Sequence, residues 1–144
     1  MTDISILIAE DDADDRFLMQ TALKERWLAE KIKFVENGIE LLNFLDNLPE
    51  VDGRIHYPRF ILLDLNMPKM DGREALKKLK SHSSLRTIPV IVFSTTKNDV
   101  EVKRCYELGA NTYVVKPVSF DSLVETISGI CDYWFQTATL PAAG

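Results

Sequence analysis

The sequence predicts an α/β fold, a doubly wound parallel sheet covered by helices on both faces. Three observations lead there. Strand-length apolar runs alternate along the chain with segments of helical period. The runs are apolar at nearly every position, the pattern of strands buried on both sides. Polar residues break in where the runs end, at the carboxyl edge where open sheets of this kind collect ligands.

The first run is Ile4 to Ala9. A helical stretch follows, with Leu18 and Ala22, and Met19 and Leu23, at i,i+4 spacing. Ile32 to Val35 reads as a second strand, and Leu41, Leu45 and Leu48 mark an amphipathic helix that stops at Pro49. Pro49 to Arg59 reads as a surface loop with Asp52-Gly53 as its turn. Phe60 to Leu65 is the most apolar strand, and it carries Asp64 almost at its end. Ala75, Leu76 and Leu79 lie on a helix after Asp71-Gly72. Val90 to Phe93 is a buried strand ending at Ser94-Thr95-Thr96. The helix from about Asp99 closes at Leu108-Gly109, where glycine supplies the left-handed position. Thr112 to Val115 is the last strand. The last helix puts Leu123, Ile127, Cys131 and Trp134 on one face, and the tail Leu140 to Gly144 is expected to be loose.

Chain length of 144 residues suits one domain with a core large enough to need no disulfide or structural metal. A net charge of −5, from 17 basic and 22 acidic side chains, argues against a nucleic-acid surface. No segment has the length and apolarity of a membrane span. Cys105 and Cys131 show no ligand spacing and read as small buried hydrophobes in a reducing cytosol. The expected location is therefore cytoplasmic.

Four strand ends hold the chemistry: Glu10-Asp11-Asp12, Asp64, Ser94 and Lys116. Carboxylates crowded into one crevice take up protons or recruit a cation. Hard oxygen donors with no histidine beside them suit magnesium rather than zinc or copper. Glu10, Asp11 and Asp64 are balanced on paper by one dication and Lys116, and a phosphoryl group upsets that balance, as a switch requires. Asp64 is the natural nucleophile, since a carboxylate accepts a phosphoryl group as an acyl phosphate. The cation and Lys116 neutralise the transferring oxygens, and Ser94 offers them its hydroxyl.

The runs Ile6-Leu7-Ile8-Ala9-Glu10-Asp11-Asp12, Asp64-Leu65-Asn66-Met67-Pro68-Lys69-Met70-Asp71-Gly72 and Val114-Val115-Lys116-Pro117 together resemble the receiver domains of response regulators. The likeness covers about residues 4–130 of a single domain spanning 1–144, with 131–144 as a helical extension and tail. It implies a flavodoxin-like, five-stranded sheet flanked by five helices. Asp64 becomes the phosphoacceptor, and Glu10 and Asp11 the acidic pair around Mg2+, with the backbone carbonyl of Asn66 as a further ligand. Ser94 becomes the switch hydroxyl and Tyr113 the switch aromatic, and a cis peptide before Pro117 aims Lys116. Asn66 and Thr96 stand where the family tunes dephosphorylation. The acidic pair begins with Glu10 rather than the commoner Asp, a variation the family tolerates. The long Pro49–Arg59 loop and Tyr133-Trp134-Phe135 resemble the single-domain regulators that partner phytochromes.

Plainer roles compete for some residues. Asp12, Asp14 and Asp15 read as helix caps and solvated acids. Tyr113 alternates with buried valines, as an ordinary half-exposed strand residue does. Tyr133, Trp134 and Phe135 suit edge packing, and an aromatic cluster at a helix end also suits a dimer contact. A haloacid-dehalogenase-type phosphatase needs a second Asp two residues after the nucleophile, where Asn66 stands. A flavodoxin-like cofactor site needs a Ser/Thr/Gly-rich phosphate loop, and Glu10-Asp11-Asp12 would repel phosphate. A calcium loop fails on Arg16, which occupies the glycine position. An unphosphorylated interaction module usually lacks the acceptor, the acidic pair or the lysine, and all are present. The expected function is a non-enzymatic phosphoacceptor switch in a two-component phosphorelay. A histidine kinase, phytochrome-like in type, is expected to supply the phosphate. Output passes to a protein target or a histidine phosphotransferase, with no nucleic acid or membrane partner. A homodimer through the face of the fourth and last helices is expected as well.

Overall fold

The computed structural model describes residues 4–26 and 31–141. Five parallel strands, β1 (Ile6–Ala9), β2 (Ile32–Val35), β5 (Phe60–Leu63), β6 (Val90–Ser94) and β7 (Thr112–Val115), form one sheet in the order β2-β1-β5-β6-β7. The register sets Ile8 between Phe34 and Leu62, and Leu62 beside Ile91. Strand order reverses between β1 and β5, so the chain leaves these neighbours in opposite directions and opens a crevice at their carboxyl ends. Glu10 and Asp64 are the residues that follow those two strands.

Alternation along the buried strands divides the core in two. Leu7, Ala9, Ile61, Leu63, Val90 and Val92 face α2 (Gly38–Asp46), α3 (Gly72–Ser81) and α4 (Asp99–Glu107), which contribute Leu41, Leu45, Leu76, Leu79 and Cys105. Ile6, Ile8, Phe60, Leu62, Ile91 and Phe93 face α1 (Ala13–Arg26) and α5 (Phe120–Cys131), which contribute Met19, Leu23, Leu123 and Ile127. Both cysteines are buried thiols outside any disulfide. Helix starts are capped by side chains: Asn37, Asp71, Asn98 and Ser119 each accept a backbone N–H of the first turn. α4 ends as expected, with Gly109 at φ 109°.

At the amino end of the sheet a half-buried lysine ties the elements together. The Lys80 ammonium donates to the carbonyls of Arg86 and Ile88 at 3.0 and 2.9 Å and to Asn111 Oδ1 at 3.0 Å. Asn111 Oδ1 also accepts the Val90 N–H at 2.9 Å.

Three segments differ from expectation. The 49–59 segment holds a small hairpin, β3 (Glu50–Val51) and β4 (Arg54–Ile55), rather than a plain loop. Its turn is the expected Asp52-Gly53, both with positive φ (53° and 79°), which matches the twist of paired strands. β5 stops at Leu63, so Asp64 and Leu65 stand beyond the strand. After Cys131 the last helix widens into a π-helical turn, Asp132–Thr137. There Phe135 turns onto Phe60 (5.4 Å between rings) and under Arg59 (5.3 Å), while Tyr133 is exposed. Of the tail, residues 142–144 lie outside the described residues.

Candidate functional site

Backbone bonds between neighbouring strands carry the polar residues to one level. The Glu10 N–H donates to the Val35 carbonyl (2.9 Å), that of Asp64 to Ala9 (3.0 Å) and that of Lys116 to Ser94 (2.7 Å). Glu10 is 2% exposed and Asp64 9%, while Asp11 stands at the rim in solvent. One carboxylate oxygen from each of the three lies within 4.8 Å of the others. Such an arrangement of hard donors fits a divalent cation. Two buried acids this close also need one, because their mutual repulsion is poorly screened away from water.

The charge state of Asp64 reflects that need. Burial, first, and the Glu10 carboxylate push its pKa from 3.8 up to about 7. Lys116 pulls it down, Asp11 pushes it up again, and the Asn66 backbone N–H, bonded to the carboxylate, pulls it down. Lys116 behaves oppositely. Burial lowers its pKa, but its bond to Glu10 and the charges of Glu10, Asp64 and Asp15 outweigh that and leave it raised. The lysine is thus a fixed cation beside a carboxyl group that titrates near neutrality.

The Lys116 ammonium sits 2.6 Å from Glu10 Oε1 and 3.3 Å from Asp15 Oδ2. The Lys116–Pro117 peptide is trans, as are all the peptide bonds described, so the expected cis bond is absent. The trans form is the favoured isomer of an X–Pro bond by about 0.5–1 kcal/mol, and from it the lysine side chain already reaches the acidic cluster. Ser94 is fully buried at the end of β6, and its Oγ accepts the Thr96 N–H at 3.3 Å. Tyr113 folds over this same loop, its hydroxyl donating to the Thr96 carbonyl at 2.9 Å. On the outer side, the Tyr113 N–H donates to the Tyr106 hydroxyl at 3.0 Å, tying α4 to the edge strand.

Behind Asp64 the chain turns back sharply. The Gly72 N–H donates to the Leu65 carbonyl at 2.9 Å, and a Cβ at Gly72 would lie 2.8 Å from the Leu65 Cα. The start of α3 therefore presses on the nucleophile's own backbone, and only glycine leaves room. On the other side of α3, Arg73 forms an ion pair with Glu101 of α4.

Glu10, Asp11, Asp64 and Lys116 come together as the sequence led us to expect, with Ser94, Thr96 and Tyr113 on the adjoining loop. Asn66 follows Asp64 with its side chain exposed. Sequence reasoning missed two members. Asp15, read as a helix-start acid, reaches Lys116. Arg16, noted only as unfit for a calcium loop, donates to the carbonyls of Glu10 (3.0 Å) and Asp11 (2.9 Å) and so braces the acidic loop. For Arg16 spacing carries part of that signal, because a side chain in the first turn of a helix points back toward the preceding loop. Asp12 is a cap as expected: its Oδ1 accepts the Asp15 N–H at 2.9 Å.

The family model for the response regulator receiver domain matches residues 6–128. Response regulator Rcp1 of Synechocystis sp. is 38% identical over 138 residues, covering 96% of this chain and 93% of that protein. Among solved structures, the phosphorylated cyanobacterial phytochrome response regulator RcpA superposes with a TM-score of 0.86 at 36% identity, over 98% of this chain and 100% of that one. The Mn2+-bound form of Rcp1 gives 0.83, also at 36% identity and over the same shares of the two chains.

Proposed function

This chain belongs to the response regulator receiver domain family of two-component signalling, and on that premise we propose that it is switched by phosphorylation of Asp64 in a Mg2+-dependent step. Receiver domains bind a divalent metal and partner with histidine kinases. The observation that carries the reading is the meeting of Asp64 with Glu10, Asp11 and Lys116 in one crevice. Glu10, Asp11, Asp64 and the Asn66 carbonyl would hold the cation, which would offset the carboxylates and the phosphoryl oxygens.

An Asp64 oxygen attacks the phosphorus of a kinase phosphohistidine. The P–N bond breaks, and the imidazole keeps the electron pair and takes a proton. Lys116 leaves Glu10 for a phosphoryl oxygen, and the Ser94 hydroxyl donates to another. The Ser94 Oγ must then give up the Thr96 N–H, which loosens the loop to which Tyr113 is bonded. Tyr113 repositions under α4, β7 and α5 as the two states exchange. Water later attacks the acyl phosphate, at a rate tuned by Asn66 and Thr96.

Exposed Leu18, Val118 and Phe120 rim a small cleft beside Lys116, with Phe17 exposed next to it, and form an apolar landing for the kinase. Likeness to phytochrome response regulators makes a phytochrome-type kinase the proposed donor. Output runs through a protein target or a histidine phosphotransferase, and the site serves signalling in the cytoplasm rather than turnover of a substrate. A homodimer forms across a hollow of about 400 Å3 lined by Val114, Ile130, Tyr133 and Trp134. Phe135, committed to Phe60, supports that face from below. Sedimentation that stays monomeric at high concentration, with and without a phosphoryl mimic, removes the dimer.

Intact-protein mass spectrometry after incubation with acetyl phosphate tests the central step. A phosphoryl increment that needs Mg2+ and disappears in Asp64→Asn is the expected result. No increment in folded, Mg2+-binding protein leaves an unphosphorylated interaction module instead.

A further inference from the structure

We infer that Asp15 is a positioning residue for Lys116, a second carboxylate that holds the ammonium back and competes with an arriving phosphoryl group. The inference rests on Asp64 being the phosphoacceptor. Among the described residues, Lys116 makes contact ion pairs with Glu10 at 2.6 Å and Asp15 at 3.3 Å, and feels Asp64 only from farther off. These two anchors are unequal in kind. Glu10 lies inside the cluster that takes the cation, so its hold on the lysine weakens when its oxygens are shared with a metal. Asp15 stands outside that cluster, and its hold does not depend on the cation.

The fold fixes Asp15 for this task. Its N–H is bonded to the Asp12 side chain at the start of α1, so the residue sits in the first turn facing the β7–α5 connection. Arg16, the adjacent cation, is engaged with the carbonyls of Glu10 and Asp11 and, more distantly, with Glu36. The Lys116 side chain is 10% exposed, while that of Asp15 is 40% exposed. The pair therefore lies at the mouth of the crevice, and moving to Asp64 costs the lysine this contact. On the α5 side of the pair, a cleft of about 70 Å3 lined by Asp15, Lys116 and Pro117 keeps this contact open to solvent.

The experiment titrates beryllofluoride, a phosphoryl mimic, into Mg2+-saturated protein and follows the bound signal by fluorine NMR. Asp15→Asn, Asp15→Glu and Asp14→Asn are compared with the wild type. Asp14 is an exposed acid on the same turn and controls for charge alone. Salt of about 0.5 M screens remote charges more than a contact pair. Asp15→Asn should bind beryllofluoride about fivefold more tightly, the upper end of what a half-exposed ion pair withholds. Asp15→Glu should return to the wild-type value, and Asp14→Asn should move less than twofold at such salt. Equal shifts in Asp15→Asn and Asp14→Asn, or no shift in Asp15→Asn, overturn the tether while leaving the phosphoacceptor intact. A wild type that binds Mg2+ but no beryllofluoride overturns the phosphoacceptor reading, and the tether with it.

Discussion

Replacing Asp64 by Asn should make the metal-free protein more stable, although it removes the nucleophile. The carboxyl is 9% exposed and its pKa is pushed up to about 7 from 3.8. Folding therefore disfavours its ionised form. A raised carboxyl contributes stability that is present below pH 4 and is lost as pH climbs through 7. At about 1.4 kcal/mol per tenfold change in acidity, the ceiling on the loss at pH 8 is about 4 kcal/mol. Water reaching the crevice and relaxation of Asp11 at its rim reduce this, and we expect about 2 kcal/mol. Asn has nearly the same shape and keeps an acceptor for the Asn66 N–H, so packing changes little. Urea unfolding in a chelator reads the effect directly. With a slope of about 2 kcal/mol per molar, the midpoint should rise by about 1 M at pH 8. The gain should shrink toward zero by about pH 4, where the wild-type carboxyl is itself neutral. Saturating Mg2+ should stabilise the wild type more than the variant and narrow the gap. A variant no more stable than wild type at pH 8, or a gain unchanged at pH 4, would refute the account of Asp64 as a buried, under-compensated charge.

Three further outcomes follow from the same geometry. Lys116→Ala should slow phosphorylation from a small-molecule donor about a hundredfold by removing a fixed cation from the transferring oxygens, measured as the rate of the mass increment. Magnesium affinity, followed by calorimetry, should fall about tenfold from pH 8 to pH 6 because a proton on Asp64 must leave before the cation binds. Gly72→Ala should destabilise the fold by about 2 kcal/mol or more, since the added methyl meets the Leu65 Cα at 2.8 Å. The same variant should phosphorylate poorly even where it remains folded, because the clash displaces the backbone that carries Asp64.

The main site was legible in the sequence because its residues interrupt apolar strands. An acid such as Glu10 or Asp64 next to a buried run has few reasons to be there, and parallel topology brings strand ends together without further information. Asp15 was not legible. Its contact with Lys116 joins residues 101 positions apart and depends on how far α1 stands from the β7–α5 connection. The Glu50–Ile55 hairpin was hidden because strands of two residues are too short to show a period, although Asp52-Gly53 marked its turn. The π-helical turn at Asp132 shifts the rotation of one turn, too little to disturb an apolar pattern. It nevertheless decides that Phe135 faces Phe60 and Tyr133 faces water. The trans bond before Pro117 lies outside what residue types alone decide.

The Lys80 ammonium bears on motion although it sits at the far end from the chemistry. Through Asn111 it pins the entry of β7 to the entry of β6, beneath the C-terminal end of α4. The other end of α4 rests on the Thr96–Asn98 loop beside Ser94, and Cys105 is the helix's one buried residue. A rod clamped at one end and lightly seated along its length has a fulcrum. Displacement of the Ser94 loop would then move the amino end of α4 most, where Val100 is exposed and Glu101 pairs with Arg73. A partner reading α4 would feel the stroke most at its amino end, and weakening the Lys80 clamp would blunt the stroke without touching the phosphorylation site.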